Sequence, residues 1–71
     1  MRDFGKRLQE LREAQGLTLR DLDLKSGVRE QNLRLYEKGR SPSAQILSDL
    51  ADALGTTTDY LLGRTEGKAP K

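Results

Sequence analysis

The stretch from Gly16 to Gly39 limits what this chain can fold into more than any other. It reads Gly16-Leu17-Thr18-Leu19-Arg20-Asp21-Leu22, continues through Ser26-Gly27-Val28 and Leu33, and closes on Tyr36-Glu37-Lys38-Gly39. Thr18 to Asp21 has the form of a capping box, a hydroxyl at the N-cap and a carboxylate at the third helical position, so a helix opens there and runs to about Ser26. Gly27 can take the left-handed conformation that lets a chain leave a helix sharply. A second amphipathic segment, Glu30 to Lys38, is closed by Gly39. Helices joined by so short a turn fold against each other and share their apolar sides.

The remainder also reads as helix. Phe4, Leu8 and Leu11 recur at helical spacing up to Ala14–Gln15, and Gly16 stops that segment. After the loop Arg40-Ser41-Pro42, a further helix starts near Ser43 or Ala44, carries Ile46, Leu47, Leu50, Ala51 and Leu54, and stops at Gly55. Hydroxyls at Thr56, Thr57 and Thr58 can cap a short last helix from Asp59 to Leu62, ended by Gly63. No strand alternation or internal repeat is present. The pattern predicts an all-α fold, a compact five-helix bundle formed by residues 1–63. Residues 64–71, with Gly67, Pro70 and no large apolar side chain, are expected to be a flexible tail or the start of a linker.

Composition removes several function classes. The chain has 71 residues with no Cys and no His, which excludes disulfides, thiolate metal sites and the commonest general base. Nothing groups the remaining carboxylates, lysines and hydroxyls, so neither an enzyme nor a bound metal or cofactor is expected. No run approaches the roughly 20 apolar residues of a membrane span, and the first residues lack the apolar stretch of a signal peptide. A soluble, cytoplasmic protein with no membrane partner is the expectation.

The net charge of +2 is unevenly placed. Arg29, Arg34, Lys38 and Arg40 outnumber Glu30 and Glu37 between Val28 and Pro42, whereas Ser43 to Asp59 holds Asp49, Asp52 and Asp59 and no basic residue. On the Glu30–Lys38 helix, at about 100° per residue, Leu33 and Tyr36 point to the core, and Gln31, Arg34, Leu35 and Lys38 fall on the opposite side. Gln and Arg can make paired hydrogen bonds to adenine and guanine edges, and Lys suits a phosphate. The other reading of such a face is a plain solvated one with salt-bridging Arg and Glu.

From Phe4 to Arg64 the chain resembles the phage-repressor or Cro-like helix-turn-helix family, the xenobiotic-response-element (XRE) type. The resemblance rests on Leu8, Leu11-Arg12, Gly16-Leu17-Thr18, Leu22, Ser26-Gly27-Val28, Leu33, Tyr36-Glu37-Lys38-Gly39, Pro42-Ser43, Leu50 to Gly55, and Asp59 to Arg64. It implies a lambda-repressor-like bundle that binds double-stranded operator DNA, as a homodimer at least on DNA, and regulates transcription. By position, Arg29, Glu30, Gln31, Arg34 and Leu35 would meet bases. Thr18, Leu19, Lys38, Arg40 and Ser41 would meet phosphates, and Arg12 and Glu37 would form a structural pair between the first and third helices. The alternative for Arg12 is a charge facing solvent.

Some residues depart from the family pattern. Leu19 replaces a phosphate-clamping Gln. Asp23 replaces a small Ala at the helix crossing, and is expected to tilt to solvent or to meet Arg29. Arg29 replaces a capping Ser or Thr, so the third helix is expected to lose a side-chain cap worth about 1 kcal/mol. Leu35 could touch a thymine methyl, or Leu19, Leu24 and Leu35 could form an apolar patch for a protein partner. The leading expectation is a sequence-specific transcriptional regulator, a repressor, that places residues 30–38 in the major groove of a two-fold symmetric operator. The alternative is a protein-interaction module on the same fold with weak or lost DNA binding. A dimer surface is expected around Tyr60 and Leu62. The chain would be either a complete small repressor or the DNA-binding part of a longer one.

Overall fold

A computed structural model describes residues 4–64; the segment expected to be a tail lies outside them apart from Arg64. Five helices follow in order: α1 (Phe4–Ala14), α2 (Leu19–Ser26), α3 (Glu30–Glu37), α4 (Ala44–Leu54) and α5 (Thr58–Leu61). No strand occurs among the described residues, so the fold is all-α as expected. The start signals act as read. Thr18 Oγ1 accepts from the Asp21 N–H at 3.0 Å, and Asp21 Oδ2 accepts from the Thr18 N–H at 2.9 Å, completing the capping box. Ser43 caps α4, and Thr57 caps α5, which therefore begins one residue earlier than the sequence suggested.

Helix α3 ends at Glu37, one residue short of the expected Lys38. Gly39 sits at φ 119°, the Gly39 N–H donates to the Tyr36 carbonyl, and the Arg40 N–H donates to the Leu35 carbonyl. This is a Schellman closure, which satisfies the last carbonyls of the helix and fixes the direction of the loop that follows.

Helix α1 packs on α3 and α5, and α2 packs on α3 and α4. Phe4, Leu8, Leu22, Leu33, Leu50 and Leu61 fill the centre and are essentially inaccessible to water. Tyr36 is buried beside them, with its ring at 72° to that of Phe4 and the centroids 6.4 Å apart. Leu11, Leu17, Leu19, Ile46 and Leu62 pack around this centre while partly exposed.

The contact of α1 with α3 depends on Gly5. A Cβ at that position would lie 2.6 Å from the Glu37 carbonyl oxygen and 2.7 Å from that of Tyr36. These are backbone atoms and cannot swing aside. Glycine inside a helix costs about 1 kcal/mol relative to alanine, and here that cost permits a close crossing. Gly5→Ala is therefore expected to destabilise the domain by about 1–3 kcal/mol, opposite in sign to the helix-propensity effect. A urea unfolding midpoint equal to or above wild type would contradict this.

Candidate nucleic-acid interface

The end of α1, the start of α2 and the end of α3 are tied by one side chain. Arg12 Nε donates to Glu37 Oε2 at 2.7 Å, its Nη2 to Oε1 at 3.2 Å, and its Nη1 to the Leu17 carbonyl at 2.8 Å. The two side chains are only 12% and 10% exposed. The hydrogen bond to Glu37 raises the already high pKa of Arg12, against the opposing effect of burial. The charge is therefore permanent.

The turn between α2 and α3 is clasped by Ser26. Its hydroxyl donates to the Leu22 carbonyl at 2.7 Å and accepts from the Val28 N–H at 3.1 Å. Gly27 supplies φ 82°, and its N–H closes α2 on the Asp23 carbonyl.

Asp23 corrects two expectations. It neither tilts away nor meets Arg29: its Oδ2 accepts the backbone N–H of Glu30 at 2.8 Å. Arg29 makes no side-chain cap, as expected, but α3 keeps a capping acceptor because α2 supplies it across the turn. The carboxylate also lies at the positive end of the α3 dipole. The capping oxygen of α3 is thus supplied by the neighbouring helix and not by the residue at its own N-cap.

The outer side of α3 matches the predicted geometry. Gln31, Arg34, Leu35 and Lys38 are exposed while Leu33 and Tyr36 are buried. Arg29, Arg40 and Ser41 are exposed at the two ends of the helix. Glu30 lies at the edge of the face, where its Oε2 accepts from Arg34 Nη2 at 3.1 Å. Among the described residues, Arg29, Lys38 and Arg40 form no ion pair.

At the start of α2, the capping box occupies the N–H groups of Thr18 and Asp21. The N–H groups of Leu19 and Arg20, at the first two helical positions, have no partner inside the helix and can meet an anion. The Leu19 side chain packs against the core while staying partly exposed. Of the apolar patch read in the sequence, Leu24 is 73% exposed and Leu35 41% exposed, on two different helices.

The region expected to form a dimer surface is partly occupied within the chain. The Arg7 guanidinium stacks 5.0 Å above the Tyr60 ring, and Leu62 packs against the core. Among the described residues no group of His, Cys, Asp or Glu could hold a metal ion, and no helix is long and apolar enough to cross a membrane. Sequence reading missed Gly5, did not single out the Glu30–Arg34 pair from the Arg–Glu salt bridges of a plain solvated face, and missed the bond from Gln15 Nε2 to the Leu54 carbonyl at 2.8 Å. A glycine inside an otherwise regular helix was a usable signal for the first, and the i, i+4 spacing of Glu30 and Arg34 for the second.

Two helices locked across a glycine turn, with the second held outward on a bundle, define a helix-turn-helix domain. The chain belongs to the helix-turn-helix family, of the XRE type, whose sequence profile matches residues 8–61. It is 38% identical over 64 residues to the HTH-type transcriptional regulator ImmR of Bacillus subtilis (strain 168), covering 89% of this chain and 50% of that protein. It is 34% identical over 69 residues to the uncharacterized HTH-type transcriptional regulator YobD of the same organism, covering 96% of this chain and 62% of YobD. It is also 35% identical over 63 residues to the uncharacterized HTH-type transcriptional regulator y4dJ of Sinorhizobium fredii (strain NBRC 101917 / NGR234), covering 87% and 82% of the two chains. The chain thus spans about half the length of ImmR and most of y4dJ. Family membership makes it a binding domain and not an enzyme.

Two predictions test the local geometry. Asp23→Ala should destabilise the domain by about 1 kcal/mol and speed exchange of the Glu30 amide, whereas Asp23→Asn, which keeps an acceptor oxygen, should stay close to wild type. Equal stability of all three in urea would remove the capping role. The second concerns Asp21, whose pKa is lowered by the hydrogen bond from the Thr18 backbone and then by the Thr18 side chain. Its folded pKa lies below the unfolded value, so its contribution is complete above the ordinary aspartate range of about pH 4 and fades as pH falls through the depressed value. The stability difference between wild type and Asp21→Asn should therefore be present at neutral pH and close on acidification; a pH-independent difference would contradict this.

Proposed function

We propose that the chain is a sequence-specific DNA-binding transcriptional regulator that acts as a repressor in the cytoplasm. The observation that carries this reading is the outer face of α3, where Gln31, Arg34, Leu35 and Lys38 stand exposed on a helix pinned by Leu33, Tyr36 and the Arg12–Glu37 pair. These side chains suit base edges, a thymine methyl and a phosphate. Family membership and the regulator relatives support the same reading.

In this proposal α3 lies in the major groove. Arg29, Glu30, Gln31, Arg34 and Leu35 reach the bases. Lys38, Arg40 and Ser41 hold one phosphate strand segment, and the Thr18 hydroxyl with the free N–H groups of Leu19 and Arg20 holds another. Leu19 contributes its backbone N–H there, while its side chain packs partly against the core. Two copies bind half-sites about one helical turn apart, and repression follows from occupying a site that polymerase needs.

The high exposure of Leu24, together with that of Leu35, favours one other reading, a module that binds a protein through these two residues. Selection of bound sequences from a random duplex pool at two salt concentrations separates the two. A dimer neutralising about six phosphates should lose about a thousandfold in affinity between 50 mM and 200 mM salt, and the selected site should be two-fold symmetric. Salt-insensitive binding, or no preference over random duplex, would assign the chain to the protein-binding reading.

A further inference from the structure

The Glu30–Arg34 pair presents a physical puzzle. A carboxylate on the helix that faces DNA repels phosphates, and a half-exposed ion pair adds little to stability. Arg34 is 53% exposed and Glu30 35%, so the pair is not a core element. Yet Glu30 is well anchored: its own N–H is held by Asp23 from α2, so its backbone position is fixed by the helix crossing. Its carboxylate then fixes the end of Arg34 through Nη2 at 3.1 Å. A guanidinium has five N–H donors, and a single bond to Glu30 leaves enough of them for a forked contact with the O6 and N7 atoms of guanine.

We propose that Glu30 and Arg34 act as one specificity unit, in which Glu30 aims Arg34 at a guanine and penalises sequences that give Arg34 nothing to read. This rests on the DNA-binding reading above. On a cognate site Arg34 keeps Glu30 while it donates to the base. On a non-cognate site the useful partner for Arg34 is a phosphate, and reaching it strands the Glu30 carboxylate among negative charges. The pair therefore lowers binding to random DNA more than binding to the correct site, which is discrimination by built-in repulsion. Asp23 is the positioning residue behind the unit, because it sets where Glu30 begins the helix.

Competition titrations on the selected site, on the same site with the guanine pair read by Arg34 replaced, and on random duplex test this. Glu30→Gln keeps the backbone N–H used by Asp23 and removes the charge. It should tighten random binding several-fold and reduce discrimination at the guanine pair about tenfold. Arg34→Lys keeps the charge and loses the fork, and should reduce discrimination similarly with little change in random binding. In the double variant the losses should not multiply, because both remove the same unit. If Glu30→Gln tightens every sequence by one factor, or the two losses multiply, the proposal is overturned while DNA binding stands. If wild type shows no salt-dependent duplex binding, the regulator reading itself fails and the proposal with it.

Discussion

The forked contact between Arg12 and Glu37 organises the rest of the molecule. It joins residues 25 positions apart, and through the Leu17 carbonyl it also fixes the turn into α2. Little water reaches it, so removing one partner would leave a charge that the domain cannot easily resolvate, at a cost of about 3–5 kcal/mol. A single-core domain of this length has roughly that much stability in total. The pair is therefore less a source of net stability than a condition on the packing: α1 and α3 must meet in one register. Gly5 meets the same condition sterically, since the α1 backbone approaches the Glu37 and Tyr36 carbonyls closely enough to exclude a Cβ. Charge and shape specify the same crossing at opposite ends of α1.

From that crossing outward, each contact removes a degree of freedom from α3. Ser26 and Gly27 fix the turn, Asp23 fixes the first amide of the helix, and Gly39 with the Arg40 N–H fixes its end. A helix of only eight residues has little intrinsic stability, so its orientation comes entirely from these ties and from burial of Leu33 and Tyr36. Hydrogen bonds to base edges tolerate errors of only a few tenths of an ångström, and a reading helix needs constraints at both ends for that reason.

The scaffold was legible in the sequence because its signals are local. The capping box at Thr18 and Asp21 and the glycines at 16, 27, 39, 55 and 63 each act within a few residues, and the apolar spacing of Leu33 and Tyr36 depends only on helix geometry. What escaped depends on contacts between segments. Asp23 looked like a buried liability because its partner, the Glu30 N–H, becomes available only after the turn has folded. The partial burial of Leu19 is decided by the core that α2 helps to close. Gly5 gave a cue, a weak helix former inside a helix, but the carbonyls that demand it belong to α3. The outer face of α3 was readable as to which residues it contains, and the i, i+4 spacing of Glu30 and Arg34 signalled their pairing, while the tie of the Glu30 amide to Asp23 required the folded turn.

These features bear on how a domain with a net charge of only +2 could select a site. Overall charge supplies affinity for any duplex, and this chain has little of it to offer. It concentrates unpaired cations at the ends of α3, at Arg29, Lys38 and Arg40, and ties the arginine in the middle to a carboxylate. In the proposed complex Lys38 and Arg40 meet the backbone and Arg34 meets the bases, so that most of the attraction lies where it carries no sequence information and the restraint where it does. On that proposal, a modest attraction with a restrained centre sacrifices affinity on every sequence but most on the wrong ones. A basic residue in place of Glu30 would bind DNA more tightly and distinguish one sequence from another less well.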